Sequence, residues 1–263
     1  MSRYLQVVQK DPSISEQPHI LDVERVYKKF NNGDTAAKTV LEDISFSARR
    51  GELICILGRS GCGKTTLLNL LAGFIAPDQG IISLNDQLVS QPGPERCVVF
   101  QEDALFPWLT VRENIAFGLK GQRVRSAQKE EEIDRFLKLV GLSEFAAYLP
   151  GEISGGMKQR VALARVLILK PQVLLMDEPF AALDAQTREE MQNLVLELWQ
   201  QLAHTILFVT HDVTEAVLLA DRILLFDKNP GRIKEDISLE LSRPREKEDQ
   251  NFLSLCRVIR ARI

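Results

Sequence analysis

The densest chemistry in the chain is the run Gly58-Arg59-Ser60-Gly61-Cys62-Gly63-Lys64-Thr65, which follows the apolar stretch ELICIL and leads straight into Thr66-Leu67-Leu68-Asn69-Leu70. The spacing G-x-x-x-x-G-K-[ST], set between a buried strand and a helix, is that of a loop built to hold nucleotide phosphates. Glycines 58, 61 and 63 let the backbone wrap close to an anion. Amide hydrogens and the helix start supply positive potential, and Lys64 adds a full charge near the terminal phosphates. The Thr65 hydroxyl is suited to magnesium. Cys62 lies inside the loop without a paired base and reads as a small filler, not a nucleophile.

Such a loop fits kinases, GTPases, motors and transporters, so the second half of the chain must discriminate. In VLLMDEP, Asp177 stands at the exit of an apolar strand, where a carboxylate orients magnesium-bound water, and Glu178 follows it. A carboxylate at Glu178 either accepts a proton from the attacking water or holds that water in line. His211, in FVTHD at the end of the next strand, is a candidate to reach the γ-phosphate from another side, since strand ends of an α/β sheet converge on one crevice. A second anion-binding helix start is written at Ile153 in ISGGMKQRVALARVL, with Ser154, Gly155 and Gly156 ahead of a basic first turn. One nucleotide cannot lie against two distant helix starts of one subunit without rearrangement. The economical expectation is that this second start caps a nucleotide held by another subunit.

The elements that must position these residues are legible in the hydrophobic pattern. ILDVERV and TVLEDISFSA alternate as half-buried strands, with NNGDTAA as the connection. ELICILG, VLLMD (Val173 to Asp177) and ILFVT (Ile206 to Thr210) have the continuous apolar character of buried parallel strands. Between the last two, Met191, Leu194, Val195, Leu198 and Leu202 share one helical face. From Gln101 to Ala164 helical periodicity takes over, with a TxxE capping box at Thr110 to Glu113, and this segment reads as an inserted helical subdomain. Residues 1 to about 19 are polar with two prolines and are expected to form a flexible tail. At the other end, Phe252, Leu255, Cys256, Ile259 and Ile263 form a face that packs onto the body or onto a like neighbour.

Bulk composition narrows the field further. Thirty-three basic against thirty-six acidic residues, a net charge of −3, give no global positive field to gather nucleic acid. Cys55, Cys62, Cys97 and Cys256 have no CxxC spacing and no neighbouring histidines, which argues against zinc and against a disulfide framework, and a reducing compartment fits. The opening segment lacks a basic start followed by an apolar run, and no stretch approaches the length a membrane span needs, so any membrane is expected to be reached through a partner.

Taken together, the ordered motifs resemble the ATP-binding cassette (ABC) ATPase family over about Ile20 to Ile237. In that family GRSGCGKT is the Walker A loop, Gln101 in VVFQED the Q-loop, ISGGM the signature, VLLMDE the Walker B with its glutamate, AALD through Asp184 the D-loop, and His211 the switch histidine. The resemblance implies an α/β P-loop fold with a RecA-like, mostly parallel core, an antiparallel β subdomain and the helical subdomain at about 102–165. It divides the chain into a tail at 1–19, an ATPase domain at 20–240 and a C-terminal helix at 241–263 packed on the domain. ATP and Mg2+ are the implied cofactors. Phe30, Gly58 to Thr66, Gln101, Asp177 and Ser154 to Gly156 would contact the nucleotide, with Tyr27 competing with Phe30 for adenine. Thr65, Gln101 and Asp177 would ligate the metal, and Glu178, His211 and Gln101 would act in hydrolysis. Two copies, identical or related, would sandwich two ATPs head to tail.

The signature departs from the usual pattern at Ile153, where leucine is common, and at Met157, where glutamine is, but Ser-Gly-Gly is intact. PGPERCVVFQEDALFPWLTVRENIAFGL is similar to ATPases of importers for nitrate, taurine, alkanesulfonates and bicarbonate. Phe106, Pro107, Trp108 and Leu109 would then line a groove for a helix of a transmembrane permease subunit. That likeness implies a peripheral protein on the cytoplasmic face of the plasma membrane, working with a periplasmic or lipoprotein solute-binding protein and not with nucleic acid. The alternative is a soluble, non-transport ABC ATPase.

Overall fold

The computed structural model describes residues 5–7, 19–30, 37–101, 104–120 and 125–263. The chain forms two compact units, one from Met1–Gly93 with Leu202–Ile263, the other from Pro94–Gln201. In chain order the strands are β1 (Leu5–Val7), β2 (His19–Phe30), β3 (Lys38–Arg49), β4 (Leu53–Leu57), β5 (Gln79–Leu84), β6 (Gln87–Leu88), β7 (Arg96–Val99), β8 (Val173–Asp177), β9 (Thr205–Thr210), β10 (Arg222–Asp227) and β11 (Arg232–Leu239). The helices are α1 (Lys64–Ala72), α2 (Val111–Phe117), α3 (Ser126–Leu139), α4 (Gly155–Leu167), α5 (Ala185–Leu202), α6 (Val213–Leu219) and α7 (Gln250–Arg260).

In the first unit β4 lies between β9 and β10 and is parallel to both, while β11 returns antiparallel beside β10. All five residues of β4 and all six of β9 are buried, which is why both read as unbroken apolar runs and not as alternations. A second, antiparallel sheet has the order β3-β2-β5-β6. Strand β3 alternates buried and open positions from Ile44 to Arg49, as a sheet with one covered face does, whereas β2 departs from the expected alternation: Ile20 and Leu21 are both buried, Glu24 and Arg25 both exposed, and its register against β3 shifts along its length. Most of the expected tail lies outside the described residues. Within it, Leu5–Val7 pair antiparallel with Ile237 to Leu239, so these three supply hydrogen-bond partners to the edge of β11. The connection NNGDTA likewise lies outside the described residues.

The second unit holds the parallel pair β7 and β8, with α2 packed against both α3 and α4. Helix α2 opens with the expected box: Thr110 Oγ1 accepts from the Glu113 amide at 3.2 Å, and the Glu113 carboxylate accepts from the Thr110 amide at 2.8 Å. Met191, Leu194, Val195 and Leu198 of α5 are buried on one face, while Leu202 is half-buried.

The last stretch packs on the body. Phe252, Leu255, Cys256 and Ile259 of α7 are buried, and α7 lies against α6. Between them, Arg245 closes the C-terminus of α6. Its Nη1 donates to the Val217 and Ala220 carbonyls, both at 2.6 Å, and its Nε donates to Leu241 O at 3.0 Å. A guanidinium here answers both the unpaired carbonyls and the negative end of the helix. Burial pushes its pKa down to about 10. Arg245→Met keeps the side-chain length but removes these donors, and we expect it to lower unfolding free energy by about 2–4 kcal/mol in a urea titration.

Candidate functional site

In the first unit, β4 delivers the chain to the phosphate loop at Gly58. A Cβ at Gly58 would stand 2.9 Å from both Cys62 Sγ and Phe226 Cβ, so the loop starts flush against β10. Gly63, at φ 98°, turns the chain into α1 in a conformation L side chains rarely adopt, and a Cβ there would meet Leu41 Cδ2 at 2.7 Å. Lys64 is only 4% exposed, and its Nζ donates to Gly58 O at 2.8 Å and Arg59 O at 3.2 Å. The loop thus encircles its own cation. Gly61 and Thr65 are exposed, Thr66 is half-buried, and Arg59 and Ser60 lie on the exposed rim. Cys62 is buried, as expected of a filler.

A support for this loop escaped the sequence reading. Gly231, in the β10–β11 turn, donates its amide to Val40 O at 2.8 Å and accepts from the Glu42 amide at 3.0 Å. A Cβ on Gly231 would sit 2.1 Å from the Cys62 carbonyl. Strand β3 and this turn therefore back the loop from behind, and only a glycine fits.

His211 emerges at the same end of the sheet. The parallel register sets Leu57 opposite Thr210, so the residue after each strand, Gly58 and His211, leaves the same edge one strand apart. The His211 side chain is exposed. Phe30 ends β2 opposite Lys38 of β3, about 7 Å along the strand from the Val40 that backs the loop. Phe30 is 40% exposed while Tyr27 is half-buried, and the Lys28 ammonium lies 5.5 Å from the Phe30 ring centroid. This strand end is tied down by Asp78, which accepts from the Lys29 amide at 2.5 Å and from Lys28 Nζ at 3.0 Å. Those two donors, the amide first, hold the Asp78 carboxyl below the usual carboxylate range.

In the second unit, β7 and β8 are in parallel register with Val99 opposite Met176, so Gln101 and Glu178 both lie two residues past that pair on one edge. Asp177 and Glu178 are half-buried and Gln101 is exposed. Glu178 adopts φ 43°, a left-handed conformation that costs a non-glycine residue about 1–2 kcal/mol and that persists only where surroundings impose it. Gln159, buried in α4, donates from Nε2 to Gln101 O at 3.0 Å, fastening this loop to the helix that Ser154 starts.

Ser154 caps α4 and accepts from the Met157 amide at 3.3 Å. It and Gly155 are exposed, whereas Gly156 is buried against Thr187: a Cβ on Gly156 would stand 2.3 Å from Thr187 Cγ2. Thr187 is in turn held by Asp184, whose carboxylate accepts from its amide at 3.0 Å and its hydroxyl at 2.7 Å. These bonds, the amide first, hold the Asp184 carboxyl below its usual range.

Residues 41–181 match the ABC transporter family. The chain belongs to that family. Among relatives of this ABC ATPase is the nitrate import ATP-binding protein NrtD of Synechococcus elongatus, 46% identical over 79% of this chain and 77% of that protein. The taurine import ATP-binding protein TauB of a Jannaschia species is also 46% identical, over 83% of this chain and 82% of its own. A dimeric structure of the ATP-binding cassette MJ0796 in a post-hydrolysis state with ADP and Pi superposes with a TM-score of 0.71 at 26% identity, covering 84% of this chain and 99% of that one. Members of the family are ATPases coupled to transport, so the soluble alternative is not favoured.

Each unit of this ABC ATPase thus gathers its own share of the expected residues. Phe30, the 58–66 loop and His211 belong to the first, and Gln101, Ser154 to Gly156, Asp177 and Glu178 to the second. Sequence reasoning missed Gly231, Gln159 and Thr187, whose roles arise from neighbours remote in sequence. Replacing Lys64 by alanine removes the buried charge of the loop. We expect Lys64→Ala to weaken ATP binding by at least about 10-fold in a direct titration.

Proposed function

We propose that this chain hydrolyses ATP for an importer of a small anion such as nitrate, taurine, an alkanesulfonate or bicarbonate. In this reading it sits on the cytoplasmic face of the plasma membrane against transmembrane permease subunits, paired with a second ATPase copy and served by a solute-binding protein. The observation that carries the reading is an aromatic shelf on the second unit. Trp108 is 72% exposed, and the Phe106 ring lies 5.7 Å from Trp108 and 4.3 Å from Phe117, with the Arg165 guanidinium 5.5 Å from Phe106. Such an exposed apolar cluster marks a binding surface.

The shelf is rigid because Asn114, fully buried, clamps the loop that carries it. Asn114 Oδ1 accepts from the Phe106 amide at 2.9 Å, and Nδ2 donates to the carbonyls of Phe106 (3.1 Å), Leu109 (2.9 Å) and Thr110 (3.0 Å). Phe106, Pro107, Trp108 and Leu109 offer an apolar surface to a partner helix. Among the described residues no helix is long and apolar enough to cross a membrane, so in this reading the partner supplies the spans.

For catalysis, Lys64 and the amides of the loop bind the phosphates, and Phe30 stacks on adenine. Glu178, on its strained backbone, accepts a proton from the attacking water or holds that water in line, while His211 hydrogen-bonds at the γ-phosphate. Thr65 in the first unit, and Asp177 and Gln101 in the second, each carry a hard oxygen donor of the kind Mg2+ takes, and the metal when bound would offset phosphate charge. Ser154 and Gly155 of one copy, exposed at a helix start, face the nucleotide held by the other.

Two variants test the reading. Glu178→Gln should keep ATP binding yet slow phosphate release by about 100-fold or more, and unchanged turnover would remove the assigned role. Trp108→Ala should spare ATP binding but reduce recovery of the permease complex when all subunits are co-expressed and extracted in detergent. Normal assembly would return the shelf to ordinary packing.

A further inference from the structure

The loop that carries His211 is held by a buried acid-hydroxyl pair to which no role has yet been given. Glu215 lies in the first turn of α6 and is 7% exposed, an expensive place for a carboxylate unless polar partners receive it. Thr210, at the end of β9 and 2% exposed, donates its hydroxyl proton to Glu215 Oε2 at 2.6 Å. With its one proton committed there, the same hydroxyl accepts from the Asp212 amide at 3.0 Å. Asp212 in turn caps α6, its Oδ1 accepting from the Thr214 amide at 2.6 Å.

These bonds flank residue 211 on both sides. Thr210 is fixed by its place in the β9 ladder opposite Leu57 and by its bond to Glu215. Asp212 is fixed by its cap and by its amide bond to Thr210. The exposed His211 imidazole therefore projects from a single residue strung between two anchored neighbours. A proton-handling or hydrogen-bonding group must be held within a fraction of an ångström of its productive position to contribute. The anchored backbone on either side of His211 contributes to that placement.

We infer that Glu215, acting through the Thr210 hydroxyl, is a positioning residue that holds His211 in register with the phosphate loop. The inference rests on the reading of His211 as the group that meets the γ-phosphate. The competing account is that Glu215 only stabilises the first turn of α6 as an acidic residue near a helix N-terminus. That account predicts a change in melting temperature but none specific to His211.

A double-mutant cycle on the full chain, followed by steady-state phosphate release, separates these possibilities. Thr210→Val preserves shape and removes both bonds. It should lower kcat by about 10-fold or more with KM for ATP within about 2-fold of the original, whereas Thr210→Ser should restore kcat to within about 2-fold. Glu215→Gln keeps an oxygen acceptor for Thr210 and should stay near the original rate, while Glu215→Leu should match Thr210→Val. On a His211→Ala background, Thr210→Val and Glu215→Leu should each change the residual rate by less than about 2-fold.

Should Thr210→Val prove too unstable to assay, the Glu215 pair carries the same comparison. If His211→Ala leaves turnover intact, the reading of His211 fails, and this inference with it. If His211→Ala abolishes most turnover but Thr210→Val and Glu215→Leu do not reduce it, or reduce it equally on both backgrounds, the positioning role alone is overturned.

Discussion

A buried ammonium must be received by something, and in this protein it is received by the loop that it serves. Lys64 is almost wholly enclosed, with its charge directed at the Gly58 and Arg59 carbonyls. The surrounding loop can close that tightly only because Gly58 and Gly63 press against Phe226 and Leu41 at distances no side chain would allow. The position of the loop's cation is therefore fixed by backbone geometry.

That geometry in turn requires a stiff support. Strand β4 lies between two parallel neighbours and is buried along its whole length, so the edge from which the loop springs cannot shift without breaking the ladders on both sides. The same edge releases His211 one strand away. The β10–β11 turn and β3 close the rear of the loop through Gly231, Val40 and Glu42. In the second unit the same economy recurs: one parallel register sets Gln101 and Glu178 on a common edge, Gln159 ties that edge to the helix begun by Ser154, and Thr187 ties Gly156 to Asp184. Within each unit, the motif residues are tied to one another by strand register and side-chain bonds.

The partition between exposed and buried polar groups follows the same logic. His211 and Trp108 face outward, and each stands beside a buried polar group: Glu215 with Thr210, and Asn114. Desolvating Glu215 and Asn114 is costly unless their hydrogen bonds are made. A fold that buries them is thereby committed to one arrangement of the loops above.

The sequence by itself determined the local chemistry. The glycine spacing from 58 to 63, the continuous apolar strands ending at Leu57, Asp177 and Thr210, the capping box at Thr110 and the Ser-Gly-Gly start at Ser154 are signals written within a few neighbouring residues, because turn, strand and cap preferences are short-range. Even the apolar face of the last helix could be read, and its packing on the domain expected, although not the element it would meet. Only the tertiary structure set that helix against α6 and Leu57 beside Thr210, brought Gly231 to the Cys62 carbonyl and gave Gly156 its neighbour in Thr187. Nothing local marks Gly231, Gln159 or Glu215 as special. Each acquires its part from a partner that strand register or helix packing brings near, and register is a property of paired strands that no single stretch of chain contains.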